Sequence, residues 1–545
     1  MELLEWMESN KKQHKRKLTE MRYFDLCFVA GICFLSLIIG IIYVLLSKTV
    51  YFWDDATYWD ISRMLTRKPI NLEFFKEVYN SIGTSDYNYF VAVPQAIWGK
   101  LFGVTRISYI VSVIIFYVIP TEIVLFLFAK RMSKAPRFAY AITIMAIPAF
   151  LYIAIIGFID VVGVLIGLIC YYLYFTNVSD KASMLKSIIL GILLVLIMVS
   201  RRYFAFFSVS FLTLITIDTI LYRRDIKQFV ITIITVGLVL GIGFYPFLRN
   251  ILLKDYGTLY SSYKYSVLTD LKLITRYFGT VFLILLFATV PLGIIKKKDL
   301  RGAFALLQIL VCAAMFMSTQ THGQQHLLLY MPALFVLIIL SVNYIDSRKM
   351  LLLVCAIAVL NCFSPVIPRK QPENIREIKS LAAFPSYSIK PEKRSDINDL
   401  LTIKRTLDKK IPNGEKCGVV ASSFVINSSI LTNVVPSLNM KENREDTYII
   451  GLPEVDSRDF WRLNEMYECD YLLVANPAQT HLSPNEQTIV TEAVKSFQDN
   501  TDIAKSFSRV TDFKADIDGI EVLLYKRIKT VSETEKTEFQ LKLYK

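Results

Sequence analysis

Between residues 26 and 363 the sequence is a succession of apolar runs broken by short polar stretches, and from 364 onward it reads as ordinary globular sequence. The runs predict membrane-spanning helices at 26–46, 106–129, 138–157, 160–175, 187–200, 203–221, 228–247, 277–295, 303–318, 327–345 and 350–363. A helix needs about 20 apolar residues to cross a bilayer. Several runs are shorter, so their ends and the pairing of 187–200 with 203–221 stay open. The first run follows a basic stretch, KKQHKRK at 11–17, as in a signal peptide. It is longer than a signal-peptide core and no small-residue cleavage site follows, which predicts an uncleaved first span. After a polar, Pro-bearing stretch at 364–395, read as a linker, the runs CGVVAS, DTYIIGL, CDYLLVA and IEVLLYKR alternate with helical patterns such as PNEQTIVTEAVKSF. That alternation predicts a small α/β domain over 396–545.

Basic residues set the expected orientation, because cytoplasmic loops carry the excess of Lys and Arg. Lys130, Arg131, Lys134 and Arg137 share one set of alternate loops with Lys181 and Lys186, and with Arg223, Arg224 and Lys227. Lys296, Lys297, Lys298 and Arg301, then Arg348 and Lys349, complete that set. With the basic N-terminus (1–25) these should lie in the cytoplasm. The opposite side then holds a long first loop (48–105), Asp160, the Arg201–Arg202 pair, a tyrosine-rich loop (248–276) and STQTHGQQH at 318–326. The expected fold class is a polytopic α-helical membrane protein of about eleven spans over 26–363. It sits in the plasma or inner membrane, with its C-terminal α/β domain outside the cytoplasm.

Composition agrees: 54% of the 545 residues are hydrophobic and 20% charged. A net charge of +14 would suit a nucleic-acid partner, but the basic residues sit in short clusters between apolar runs, so no nucleic acid is expected. The sequence has no G-x-x-x-x-G-K-[ST] loop, which argues against ATP-driven transport. Of eight scattered cysteines, Cys417 and Cys469 open strand-like runs in the tail and could pair in an oxidising space. His322 and His326 have helical metal-ligand spacing but no obvious carboxylate beside them, and no metal site is assigned. Glu122, beside Pro120 in the second span, is a buried carboxylate and a functional candidate by default, yet it receives no role.

The first outer loop opens with YFWDDATYWDISRML. Adjacent carboxylates at a membrane surface raise one another's pKa, which suits a general base or a cation site. The same pair would equally cap the helix that follows. Further motifs follow in order: SDYNYFVAVPQAIWGKLFGVTRIS, GFIDVVGVLIGLICYYLYF, MVSRRYFAFF and QTHGQQHLLLYMPAL. Together these segments resemble the GT-C superfamily of membrane glycosyltransferases. The nearest resemblance is to bacterial relatives of the dolichyl-phosphate-mannose–protein mannosyltransferases and to the lipid A aminoarabinose transferase.

The resemblance implies a fold and an activity: inverting transfer of a sugar from a polyprenyl-phosphate donor to a cell-envelope glycan, lipid or protein at the outer face. It implies Asp54 as base, with Asp55 beside it, Tyr58 shortly after, and Asp160 at a second acidic position. Arg201, Arg202 and His326 take the places of basic residues that would hold the donor. Thr57 stands where the aminoarabinose transferases carry an Arg, so Arg63, Arg201 or Arg202 would supply that phosphate contact. The chemistry needs these residue types, since a base must take the acceptor's proton and positive charge must stabilise the leaving phosphate. No cofactor is firmly implied, although the outer carboxylates could hold a divalent cation. Plainer readings stand beside these. The Arg pair could anchor in lipid headgroups, as Lys100 and Arg106 should. Tyr256, Tyr260, Tyr263 and Tyr265 could form an interfacial belt rather than stack on sugars. The rival function is a polysaccharide or lipid-linked-sugar transporter or flippase, or a non-catalytic scaffold. A transporter should place its charges near the bilayer midplane rather than at the outer interface.

Overall fold

The computed structural model describes residues 2–176, 180–222, 226–369, 377–440 and 448–544. Arg223 and Arg224, expected in a cytoplasmic loop, lie outside the described residues. Among the described residues eight helices are long and apolar enough to cross a membrane: Tyr23–Leu46, Arg106–Met132, Ser183–Ser200, Arg202–Leu221, Ile226–Gly243, Thr280–Lys297, Arg301–Thr319 and Arg348–Val366. Pro136–Ala146 and Ala149–Ile155 form one further apolar unit bent by 58°. The bend falls at Pro148, which cannot donate to the helical ladder. Val161–Phe175 and Met331–Tyr344 are shorter apolar helices that follow the expected runs in order. The chain is a multi-pass membrane protein.

The loop between the first two spans, 48–105, folds into helices. Trp53–Arg67 lies inward and buries Tyr58, Trp59 and Leu65. Leu72–Thr84 is started by Asn71, whose Oδ1 accepts from the Phe74 amide at 3.0 Å. Val93–Phe102 begins with Pro94, a residue suited to a first turn because its missing N–H is not needed there. This last helix leads directly into the second span.

The C-terminal domain is built on one five-stranded sheet. Its strands are β1 (Cys417–Val420), β2 (Ile449–Gly451), β3 (Tyr471–Asn476), β4 (Phe507–Ile517) and β5 (Ile520–Arg527), in the order β2-β1-β3-β5-β4. β1 runs parallel to β2 and β3, whereas β5 is antiparallel to β3 and β4. Central strand β3 is apolar on both faces, as a strand covered on both sides must be. Leu473 and Ala475 pack with Leu407, Ile430 and Val434 on one face, and Leu472 and Val474 with Ile489, Ala493 and Phe497 on the other. Cys417 and Cys469 are both buried free thiols, so the pairing open to them is not made. Both pack in the sheet's core instead.

The two parts are sewn together. The Lys48 amide donates to the Glu392 carbonyl at 2.8 Å, and the Arg394 amide donates to the Lys48 carbonyl at 2.9 Å. Two residues further on, Val50 belongs to the buried core of the C-terminal domain. The stretch expected as a linker is packed where it is described: Tyr387 is buried between Tyr152 and Tyr277, with ring centroids 4.9 and 4.8 Å away. Arg106 corrects its expected role as a headgroup anchor. It is 4% exposed and donates through Nη2 to Ser47 Oγ at 2.6 Å, because the C-terminal domain covers this turn. Lys100 remains at the surface and donates to the carbonyls of Thr66 and Lys68.

Candidate active site

Trp53 opens the helix Trp53–Arg67 with a left-handed backbone, φ +50°. A non-glycine residue held there costs about 1–2 kcal/mol. The N-cap is Phe52, with no side-chain cap hydrogen bond, and Asp54 and Asp55 fall in the first turn. The capping reading of the carboxylate pair is therefore wrong: neither aspartate caps the helix. Both instead sit at its positive end, where a negative charge is favoured.

Asp54 is held by groups that are remote in sequence. Tyr87 donates its phenol to Asp54 Oδ1, and Gln325 donates its side-chain amide to Oδ2 at 2.7 Å. Arg201 Nη2 stands 3.7 Å from the same Oδ2. The Asp54 side chain keeps 31% of its surface exposed, so this carboxylate lies at the mouth of the cluster. Asp55 has a different environment. Burial, and then the Asp54 charge beside it, hold its carboxyl well above the usual carboxylate range. Two neighbouring carboxyls whose surroundings differ in this way can take different parts in acid–base work.

Behind Asp54 lies a charge pair. Arg201 Nε is 2.5 Å from Asp160 Oδ1, with the Arg201 side chain 8% and the Asp160 side chain 1% exposed. Tyr203 donates to Asp160 Oδ1 at 3.1 Å. The guanidinium also lies over aromatic faces, 4.4 Å from the Tyr87 ring centre, 5.3 Å from Tyr58 and 5.6 Å from Tyr203. Two glycines permit this packing. Gly157 has φ +115°, and a Cβ there would stand 3.1 Å from Tyr51 and 3.5 Å from Asp55. A Cβ on Gly163 would meet the Phe204 ring at 2.1 Å. Phe204 can thus lie flat on the helix that begins after Asp160, which brings Arg201 alongside the carboxylate.

The remaining expected residues separate. Tyr58 joins the cluster as a buried ring under Arg201. Arg63 does not join it: it pairs with Asp60 at 3.2 Å and lies over Trp59, because helical spacing turns it away from Asp54. Arg201 is no lipid anchor, being enclosed. Arg202 faces outward and pairs with Asp86 at 2.6 Å, beside Lys254, which reaches the same Asp86 oxygen at 2.9 Å. Tyr256 and Tyr260 stack next to it, ring centres 6.2 Å apart, with Arg202 5.8 Å from the Tyr256 ring. His326 is within reach of the cluster, 5.0 Å from the Tyr203 ring, and its Nδ1 accepts from the Gly323 amide at 2.8 Å. Burial, followed by the nearby His322 and Arg201 charges, holds its imidazole well below its usual pKa. With Nδ1 accepting from the Gly323 amide, only Nε2 is left to meet a ligand.

His322 corrects a second expectation, since a carboxylate does lie beside it. Its Nδ1 meets Asp270 Oδ1, and its Nε2 is 2.5 Å from the Tyr330 hydroxyl. The Asp270 partner comes from another element, 52 positions away, and no local spacing could reveal it. As for a divalent cation, Asp54 and Asp160 share the Arg201 guanidinium, which already places positive charge between them. Among the described residues no three His, Cys, Asp or Glu side chains are grouped as metal ligands. The donor set does not fit a cation at the outer carboxylates. Tyr87, Gln325, Asp86 and Lys254 were not singled out from sequence. Asp86, Tyr87 and Gln325 do stand inside quoted motifs, but their residue types alone carry no signal.

No family model and no curated protein sequence matches this chain. Among solved structures it is similar to ArnT from Cupriavidus metallidurans bound to undecaprenyl phosphate, with a TM-score of 0.53 at 12% identity over 93% of this chain and 98% of that one. The apo state of the same protein gives a TM-score of 0.54 at 12% identity over 92% and 97%. The likeness shows the fold. The chain shares the fold of that structure, membrane helices and C-terminal domain together.

Proposed function

We propose that this protein is a glycosyltransferase that moves a sugar from a polyprenyl-phosphate donor to a hydroxyl of a cell-envelope glycan, lipid or protein, at the outer face of the membrane. The observation that carries the reading is the Asp54 carboxylate. It is partly exposed at the mouth of an otherwise buried polar cluster, fixed by Tyr87 and Gln325 and backed by the Arg201–Asp160 pair. A general base needs such a place, within reach of an incoming hydroxyl and held in one orientation. The fold supports the donor class, because its structural relative is one bound to undecaprenyl phosphate.

The transfer then proceeds with these residues in named parts. The acceptor oxygen bonds to the anomeric carbon while the bond from that carbon to the donor phosphate oxygen breaks. The hydroxyl proton passes to Asp54, and polyprenyl phosphate leaves with the negative charge. Attack from the face opposite the phosphate inverts the sugar. Arg202 and Lys254 are the cations open to the leaving phosphate, which would take over the place that Asp86 holds between them. Arg201 acts from behind, fixing Asp160 and steadying the charge on Asp54. Arg63, paired with Asp60 and lying over Trp59, takes no part in holding phosphate.

The test is reconstitution. Purified protein in liposomes, supplied with a lipid extract of host membranes, should release polyprenyl phosphate and glycosylate an envelope acceptor, both followed by mass spectrometry. A deletion strain should lack one sugar on its envelope. Release without an acceptor product, or an unchanged envelope, would overturn the reading.

A further inference from the structure

The C-terminal domain touches the loop carrying Asp54 at several positions, three of them through one helix. Ser428–Ser437 follows β1 and is started by Asn427, whose Oδ1 accepts from the Ile430 amide at 2.8 Å. From this helix Ser437 Oγ accepts from the Tyr51 amide at 3.2 Å, and Ser429 Oγ accepts from the Trp53 amide at 3.1 Å. Asn433 donates its side-chain amide to Asp60 Oδ2 at 3.0 Å. Just past the helix, Asn439 Oδ1 accepts from the Arg106 amide at 3.1 Å. The same domain grips the Trp53 ring, with Phe424 at 5.2 Å and His481 at 4.5 Å between ring centres.

The Trp53 contact matters most, for a local reason. Trp53 is the first residue of its helix, so its N–H has no partner within the helix. It also carries the left-handed backbone that turns the extended Phe52 into the helix and so aims the next residue, Asp54. Such a conformation persists only where the surroundings over-determine it. Here the surroundings are a hydroxyl on the N–H and two rings on the side chain, all supplied by the C-terminal domain.

We infer that Ser429 is a positioning residue for the transfer reaction: by accepting from the Trp53 amide, it fixes the backbone turn that presents Asp54 to the acceptor. The C-terminal domain is thereby part of the catalytic unit. This rests on the reading of Asp54 as base.

The experiment uses the full chain in liposomes with the membrane lipid extract, and three variants: Ser429→Ala, Ser429→Thr and Asp54→Asn. Rates of polyprenyl phosphate release are measured against extract concentration, together with Tm and the hydrogen exchange of the peptide containing Trp53. Ser429→Ala should lower the maximal rate by about 10–100-fold, the scale of an ångström-level misplacement at a reacting centre. Half-saturation should stay within about twofold, as expected when orientation rather than binding is lost. The Trp53 amide should exchange faster in Ser429→Ala, and Ser429→Thr, which keeps the hydroxyl, should restore both rate and protection. Unchanged exchange in Ser429→Ala would overturn the positioning role while leaving Asp54 as base. So would faster exchange with an undiminished rate, or a rate that falls only in step with Tm and is not restored by Thr. A well-folded Asp54→Asn with normal turnover would instead remove the base, and the inference with it.

Discussion

Gln325 donates its side-chain amide to the Asp54 carboxylate at 2.7 Å across 271 positions of sequence. With Tyr87 on the other oxygen, the carboxylate is fixed at both ends, one partner from its own loop and one from the last outer loop. An acceptor hydroxyl that meets Asp54 must therefore share or displace one of these donors, and it finds the carboxylate already oriented.

Replacing Asp54 with Asn preserves size but removes the proton acceptor. A general base contributes about 10²–10⁴-fold, so Asp54→Asn should lose that much turnover with an unchanged Tm. Asp55→Asn should be milder, since Asp54 is the proposed proton acceptor and Asp55 only stands beside it. Rates of polyprenyl phosphate release measure both, and equal losses would remove the division of labour.

The two adjacent arginines should behave differently. Arg201→Ala leaves Asp160 buried without its cation, and breaking such a pair costs about 3–5 kcal/mol. Its first effect should be a large fall in Tm or in yield of folded protein. Arg202→Ala should leave Tm nearly unchanged and raise half-saturation for the lipid donor, with Arg202→Lys only partly restoring it. Thermal unfolding beside donor titration separates the two.

Stability of the C-terminal domain should depend on Glu454 and His481 with opposite signs. Glu454 is held up to about 7, chiefly by burial, so its contribution is complete below its ordinary 4.5 and is lost as pH rises through 7. His481 is pushed down to about 4 by burial, so its contribution is present above its ordinary 6.5 and is lost as pH falls through 4. Glu454→Gln should therefore gain Tm relative to the parent as pH is raised from 5 to 8. A parallel pair of Tm curves would count against the raised carboxyl.

Reporter fusions at Lys297 and after Lys390 should give opposite signals, the first cytoplasmic and the second external, as the distribution of basic loops requires. The same signal at both would separate Asp54 from the outer face and end the proposed chemistry there.

The apolar runs, the α/β tail and the carboxylates that follow the first span were legible in sequence because each is a local pattern: period, length, or a charge beside a span. The partners of those carboxylates were not. Tyr87 is one of 30 tyrosines, and only the fold singles it out by placing it on Asp54. Arg201 and Arg202 are indistinguishable as letters, yet the turn between the spans buries one beside Asp160 and leaves the other half-buried on Asp86. Arg106 read as a lipid anchor because nothing nearby in the chain signals the domain that covers it. His322 seemed to lack a carboxylate for the same reason, with Asp270 on a different element.

The tether between Trp53 and Ser429 spans 376 positions, which gives the site a history as well as a shape. Asp54 leaves the ribosome early, and at about 5–20 residues per second the hydroxyl that holds its turn follows roughly 20–75 s later. During that interval the membrane helices can be inserted one after another while the strained turn is unsupported. If Ser429 holds the turn as inferred, a chain cut short before the C-terminal domain would carry the candidate reaction centre without its support, and the site should become competent only once that domain has been made.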